Sequence, residues 1–134
     1  MLIRKPSETK DTTKTTITTE ATTKDQGHLN QVLVVGRITA APTVRELPSG
    51  DRLVSWRIGV VRPEDPRRPG HRLDSLTLVS FEDSMVDRVR EYRTGEVVRA
   101  SGALRRRIWR GPQGVRSILE VEVSTVAIER RPVG

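Results

Sequence analysis

Val54, Trp56, Ile58 and Val60 alternate with Ser55, Arg57 and Gly59. A period of two confines such a segment to a strand with one face in a core and the other in water. On that face Trp56 is expected in the core, and Arg57 outward. The same texture recurs along the chain from Leu29. "LNQVLVVGRIT" is valine-rich and β-branched and runs to the turn signal "AAPT", and "PSGD" reads as a hairpin turn between two further extended pieces. "RPEDPRRPGHR" holds three prolines and a glycine and is a loop. In "LDSLTLVSF", Leu76 and Leu78 face one way and Ser75, Thr77, Val79 and Phe81 the other. Two long strands close the chain, "EVVRASGALRRRIWR" with a bend or bulge at Gly102, and "VRSILEVEVSTVAIER". "GPQG" joins them as a tight hairpin.

One segment departs from this period. Over residues 83–93, Met85, Val86, Val89 and Tyr92 fall on one helical stripe. Ser84 with Asp87 resembles a capping box, and Gly95 supplies the stop. Three strands, a helix, then two long strands is the order of an all-β, five-stranded OB-fold, a Greek-key barrel with its one helix between strands 3 and 4. An SH3-like barrel or a sandwich does not account for a helix at that place. Short barrel strands need few aromatic side chains, which suits an aromatic content of 3%. The expected domain spans residues 28–134. Residues 1–27 are largely threonine with scattered charge, carry little to bury, and are expected to be a disordered tail.

Composition narrows the chemistry. The chain has no cysteine, which excludes a disulfide scaffold, Cys-ligated zinc and a thiol nucleophile. Its two histidines, His28 and His71, are far apart in sequence, and His71 in the proline-rich loop is expected to be exposed rather than a ligand. There is no glycine-rich phosphate loop, no Ser-centred elbow and no acidic cluster at metal spacing, so neither catalysis nor a cofactor is expected. Glu120 and Glu122 read as a solvated strand face. No apolar run approaches a membrane span or a signal core, so the expected setting is the cytoplasm. The net charge of +7 points to a polyanion, although arginine in place of lysine after residue 24 also has a bland reading in coding bias.

Where the charge sits is more telling. In "ALRRRIWRG" a strand turns Arg105, Arg107 and Trp109 to one face and Leu104, Arg106 and Ile108 to the other. Two guanidinium forks ending in an indole supply both devices by which barrels hold single strands, cations for phosphates and rings on which bases stack. The alternative is that Trp109 packs into the barrel or a subunit contact. Phe81 is expected either outward beside such a strand or as a cap on the barrel where the chain enters the helix. Arg57 faces outward and is a candidate phosphate contact. Arg72, with Arg62, Arg67 and Arg68, belongs to a loop that either wraps nucleic acid or is simply soluble.

From Leu29 to about Arg130 the sequence resembles the bacterial single-stranded DNA-binding protein family. The resemblance rests on "NQVLVVGRITAAPTVRELPSG", "RLVSWRIGV", "LTLVSF", "VREYRTGEVVRASGALRRRIW" and "GPQGVRSILEVEVSTV", in the family's order and with nearly its spacing. It implies that Arg105, Arg107 and Trp109 stand where the family has its fourth-strand arginines and a stacking tryptophan, and that Phe81 matches its third-strand phenylalanine. A second stacking tryptophan falls on Ser75, and a third meets a loop without aromatic residues. The resemblance implies a non-catalytic homotetramer that coats single-stranded DNA in replication, recombination or repair, associated with the nucleoid. An RNA-binding barrel and an assembly module without DNA binding are the rival readings. Family members usually end in a long linker and an acidic tip that recruits partners. This chain ends in "IERRPVG", so recruitment of that kind is not expected, and a specialised paralogue or a phage- or plasmid-type version is.

Overall fold

The structure is a computed structural model and describes residues 26–70 and 72–132. The expected tail over residues 1–27 falls almost wholly outside them, as does His71. Five strands account for most of the domain: β1 (Val32–Glu46), β2 (Arg52–Val61), β3 (Leu73–Ser80), β4 (Val97–Gly111) and β5 (Gly114–Arg130). One helix, α1 (Asp83–Val89), lies between β3 and β4. The strands close into a barrel in the order β1-β2-β3-β5-β4, with β4 returning to β1. All pairings are antiparallel except β3 with β5, where Leu78 meets Val121 and Val79 meets Glu122. This is the OB-fold that the element order implies.

The inward positions follow the period of two. Ile38, Val54, Trp56, Ile58 and Leu78 are sealed with Val98, Ala100, Val121 and Val123, while Met85, Val86 and Val89 cover one end of the barrel. Each such large side chain contributes about 1.5–3 kcal/mol by leaving water. Trp56 is a core residue, as its phase requires, and its Nε1 has no hydrogen-bond partner among the described residues. Arg52 on β2 clamps the helix from outside, donating to Asp83 at 3.1 Å and Asp87 at 3.0 Å. Those hydrogen bonds, to Asp87 first and then Asp83, raise the Arg52 guanidinium above its ordinary pKa.

Five local expectations need correction. The "AAPT" turn does not end the first strand. β1 runs through it to Glu46 and absorbs it as two register slips against β2, between Ile38 and Ala40 and between Ala40 and Thr43. The helix is shorter than 83–93, stopping at Val89, and its N-cap is Glu82 with no side-chain cap bond. Asp87 is drawn to Arg52, so the box with Ser84 does not form. Gly95, at φ 97°, therefore serves not as the helix stop but as the turn into β4, its N–H donating to the Ile38 carbonyl at 2.9 Å. Finally, Val79 is buried although it alternates with the core leucines, flanked by Ser55 of β2 on one side and Glu122 of β5 on the other. The hairpin turns behave as read: Gly50 (φ 93°) closes the β1–β2 turn and Gly114 (φ 111°) the β4–β5 turn, conformations open to glycine without strain.

Candidate nucleic-acid interface

β4 and β5 are longer than the barrel they close. From Leu104 to Gly111 every residue of β4 is exposed, as are Gly114–Ser117 on β5, so the hairpin stands clear of the barrel as a two-stranded ribbon. The turn pairs Gly111 with Gly114, and counting back from it sets every cross-strand partner. On one face Trp109 lies opposite Arg116, Arg107 opposite Ile118, and Arg105 opposite Glu120. On the other, Arg110 lies opposite Val115, Ile108 opposite Ser117, and Arg106 opposite Leu119.

The first face holds the three residues singled out by periodicity. Trp109 is 43% exposed, so the indole is at the surface rather than in the barrel. The Arg107 guanidinium sits 5.9 Å from the centre of its ring, at the outer reach of a cation–π contact. Ring and cation are thus held together as one platform. The arginines are not free, however. Arg105 Nε donates to Glu122 Oε1 at 3.1 Å, and Arg107 Nη2 lies 3.3 Å from Glu120 Oε1. The reading of Glu120 and Glu122 as a solvated face is therefore corrected: Glu120 is 6% exposed and Glu122 is half-buried. Parallel pairing with β3 puts Val79 beside Glu122 and closes off the flank of β5.

Arg107 is held differently from Arg105. It is near enough to Glu120 for an ion pair, but its N–H is not aimed at the oxygen, and Glu120 Oε1 accepts no hydrogen bond. Arg107 is this carboxylate's partner by charge, since the Glu120 side chain is only 7% exposed and no other cation pairs with it among the described residues.

Of the remaining candidates, Phe81 is 46% exposed just beyond the end of β3, the outward of its two expected placements. Arg57 is exposed on β2 opposite Thr77, with no ion-pair partner among the described residues. Arg72 is half-buried beside β3, its carbonyl accepting from the Arg62 N–H at 2.8 Å. Arg62 itself is tied to Asp74 at 2.7 Å and Arg67 to Asp65 at 3.5 Å, so much of the charge in the proline-rich loop is spent internally. Ser75 is exposed opposite Gly59, so a ring is missing there and nothing bulky replaces it. Three ribbon arginines not chosen as candidates are exposed and without ion pairs among the described residues: Arg106 and Arg110 on the other face, and Arg116 opposite Trp109, which donates to Gln113 Oε1 at 3.3 Å. The two-residue turn was the signal that separates the paired arginines from Arg106 and Arg110.

Among the described residues there is no group of three His, Asp or Glu side chains fit to hold a metal, and no helix long and apolar enough to cross a membrane. The single-strand binding protein family matches residues 29–129. The chain belongs to that family. Within it, the single-stranded DNA-binding protein of Deinococcus radiodurans is 29% identical over 111 residues, covering 81% of this chain and 36% of that protein. The protein of the same description from Oceanobacillus iheyensis is 27% identical over 86 residues, 64% of this chain and 53% of that one. This member of the single-strand binding protein family thus spans about a third to a half of the length of these curated relatives. Among solved structures, the Plasmodium falciparum SSB in complex with ssDNA superposes with a TM-score of 0.69 at 22% identity, covering 78% of this chain and 97% of that one. At that identity the match supports the barrel fold.

Proposed function

We propose that this barrel binds single-stranded DNA with little sequence preference and without catalysis. The DNA would cross the hairpin face that carries Trp109. The observation that carries the reading is the half-exposed indole with a guanidinium held 5.9 Å from its ring, on a ribbon that stands clear of the barrel. A base stacks on Trp109, and Phe81 offers a second ring. Arg57 meets phosphate directly, and Arg72, just before the start of β3, is a further candidate contact. Arg105 and Arg107 contribute to the extent that their carboxylate partners release them. Stacking on a ring is blind to base identity, which is why such a surface coats rather than reads. The names of the relatives and the family's membership support DNA as the polymer. A homotetramer serving replication, recombination or repair in the cytoplasm, at the nucleoid, is the corresponding cellular reading.

The test is a gel shift with matched single- and double-stranded oligonucleotides and with oligo-U, across a salt series. Tight binding to oligo-dT is expected, with log K falling against log salt by about 0.7 per phosphate neutralised. Equal affinity for the duplex overturns the reading, and preference for oligo-U moves the function to RNA.

A further inference from the structure

Two carboxylates occupy the places where phosphates would be expected. Arg105 Nε is 3.1 Å from Glu122 Oε1, and Arg107 Nη2 is 3.3 Å from Glu120 Oε1. Both acids come from β5, both arginines from β4, and each pair runs diagonally across the hairpin on the Trp109 face. We propose that Glu122 and Glu120 are intramolecular substitutes for phosphate, which keep Arg105 and Arg107 engaged and so hold down the affinity of the barrel for single-stranded DNA. This rests on the reading of the preceding subsection and assigns these two acids a role in it.

The two pairs differ in how readily they exchange. Arg105 and Glu122 have side chains 55% and 42% exposed, so the pair lies in high dielectric and its net strength is small. An arriving phosphate takes the same Nε donor, and Glu122 turns to water. Glu120 is different. Its side chain is 7% exposed, its Oε1 accepts no hydrogen bond, and Arg107 is its one ion-pair partner among the described residues. Drawing Arg107 away leaves a buried charge with no compensation, which is strongly unfavourable. Arg107 is therefore held beside Trp109 as part of the stacking platform, and Arg105 is the cation that changes partner. In either case the carboxylate remains within a few ångströms of the polymer and repels it, an effect that salt screens.

The experiment titrates fluorescein-labelled oligo-dT by anisotropy, over a salt series, with the unaltered full chain and three variants. Glu122→Gln and Glu120→Gln keep shape and remove charge. Glu91→Gln makes the same change in net charge at an exposed position in the turn after α1. Melting curves establish that each variant is folded, and the two hairpin variants give independent readings of the same effect. Glu122→Gln is expected to bind about two- to fivefold tighter at low salt, with the log–log slope steeper by up to about 0.7, because no freed carboxylate takes up a cation when Arg105 moves to phosphate. The gain should fade as salt rises. Glu120→Gln should move in the same direction, and Glu91→Gln should match the unaltered chain. Binding by all four proteins with the same slope overturns the substitution of carboxylate for phosphate alone. Weaker binding by the folded hairpin variants does the same. Absence of binding by every protein overturns the DNA-binding reading and this inference with it.

Discussion

Among the described glycines, Gly102 is the one where a single methyl group would meet the most resistance. It lies on β4 opposite Val123 of β5 and opposite Val32 of β1, at the point where the β4–β5 register slips. A Cβ placed there falls well inside contact with the Glu122 carbonyl oxygen, 2.8 Å from its carbonyl carbon and 2.9 Å from the Val123 Cα. All three are backbone atoms, so no rotamer change relieves the overlap. Carbon atoms settle at about 3.5–4.0 Å, so the strands must part by roughly 1 Å where Val121 and Val123 enter the core. Overpacking costs about 1–3 kcal/mol and sometimes more. With rigid backbone of β5 as its three nearest neighbours, the upper figure, about 3 kcal/mol, applies to Gly102→Ala. At about 4–8 °C per kcal/mol for a domain of this size, Tm falls by roughly 12–24 °C. Far-UV circular dichroism melts read this directly, with Gly111→Ala as the control, since nothing lies within 4 Å of a Cβ at that turn. A Gly102→Ala protein melting within about 2 °C of the unaltered chain, or a Gly111→Ala protein falling as far, would refute the reasoning. Because the displaced carbonyl belongs to Glu122, surviving Gly102→Ala protein should also show altered oligo-dT affinity.

Other expectations concern the ribbon itself. Trp109→Ala should weaken oligo-dT binding by about 1–3 kcal/mol at every salt concentration while leaving the salt slope intact. The chain has two tryptophans, and Trp56 is 1% exposed, so quenching of indole fluorescence on adding oligo-dT should vanish in that variant; quenching that persists would remove Trp109 from the interface. Arg107→Ala should destabilise the fold by about 1–2 kcal/mol, because it strands the buried Glu120, discounted for the exposure of the arginine. Arg105→Ala, which unpairs an exposed acid, should stay within about 0.5 kcal/mol. Thermal melts giving the reverse order would contradict the assignment of Glu120 to Arg107.

Much of the architecture is legible in the residues alone. The phase of Val54, Trp56, Ile58 and Val60 announces which way each points, and the structure buries Trp56 and exposes Arg57 accordingly. The "GPQG" turn pins the register of the final hairpin, so Arg105, Arg107 and Trp109 share a face. Gly102 sits at a slip in the ladder, as an isolated glycine in a strand suggests. Helix length and capping were less legible, because the partner of Asp87 is Arg52, 35 residues away. The "AAPT" turn failed for a related reason: β2 supplies enough pairing on both sides to carry β1 through it as a bulge.

Side-chain direction along a strand is a property of covalent geometry, repeating every two residues whatever the neighbours, and so the sequence by itself determined the faces, the turns and the order of elements that close this barrel. Burial and charge pairing depend on what is laid alongside. Val79 and Glu120 point outward by phase, yet both are buried, Val79 beside Glu122 in the parallel β3–β5 contact between residues far apart in the chain, and Glu120 beside Arg107. Only the tertiary structure decided that Arg105 and Arg107 are already answered by carboxylates, because opposite charges meet through space and not through sequence.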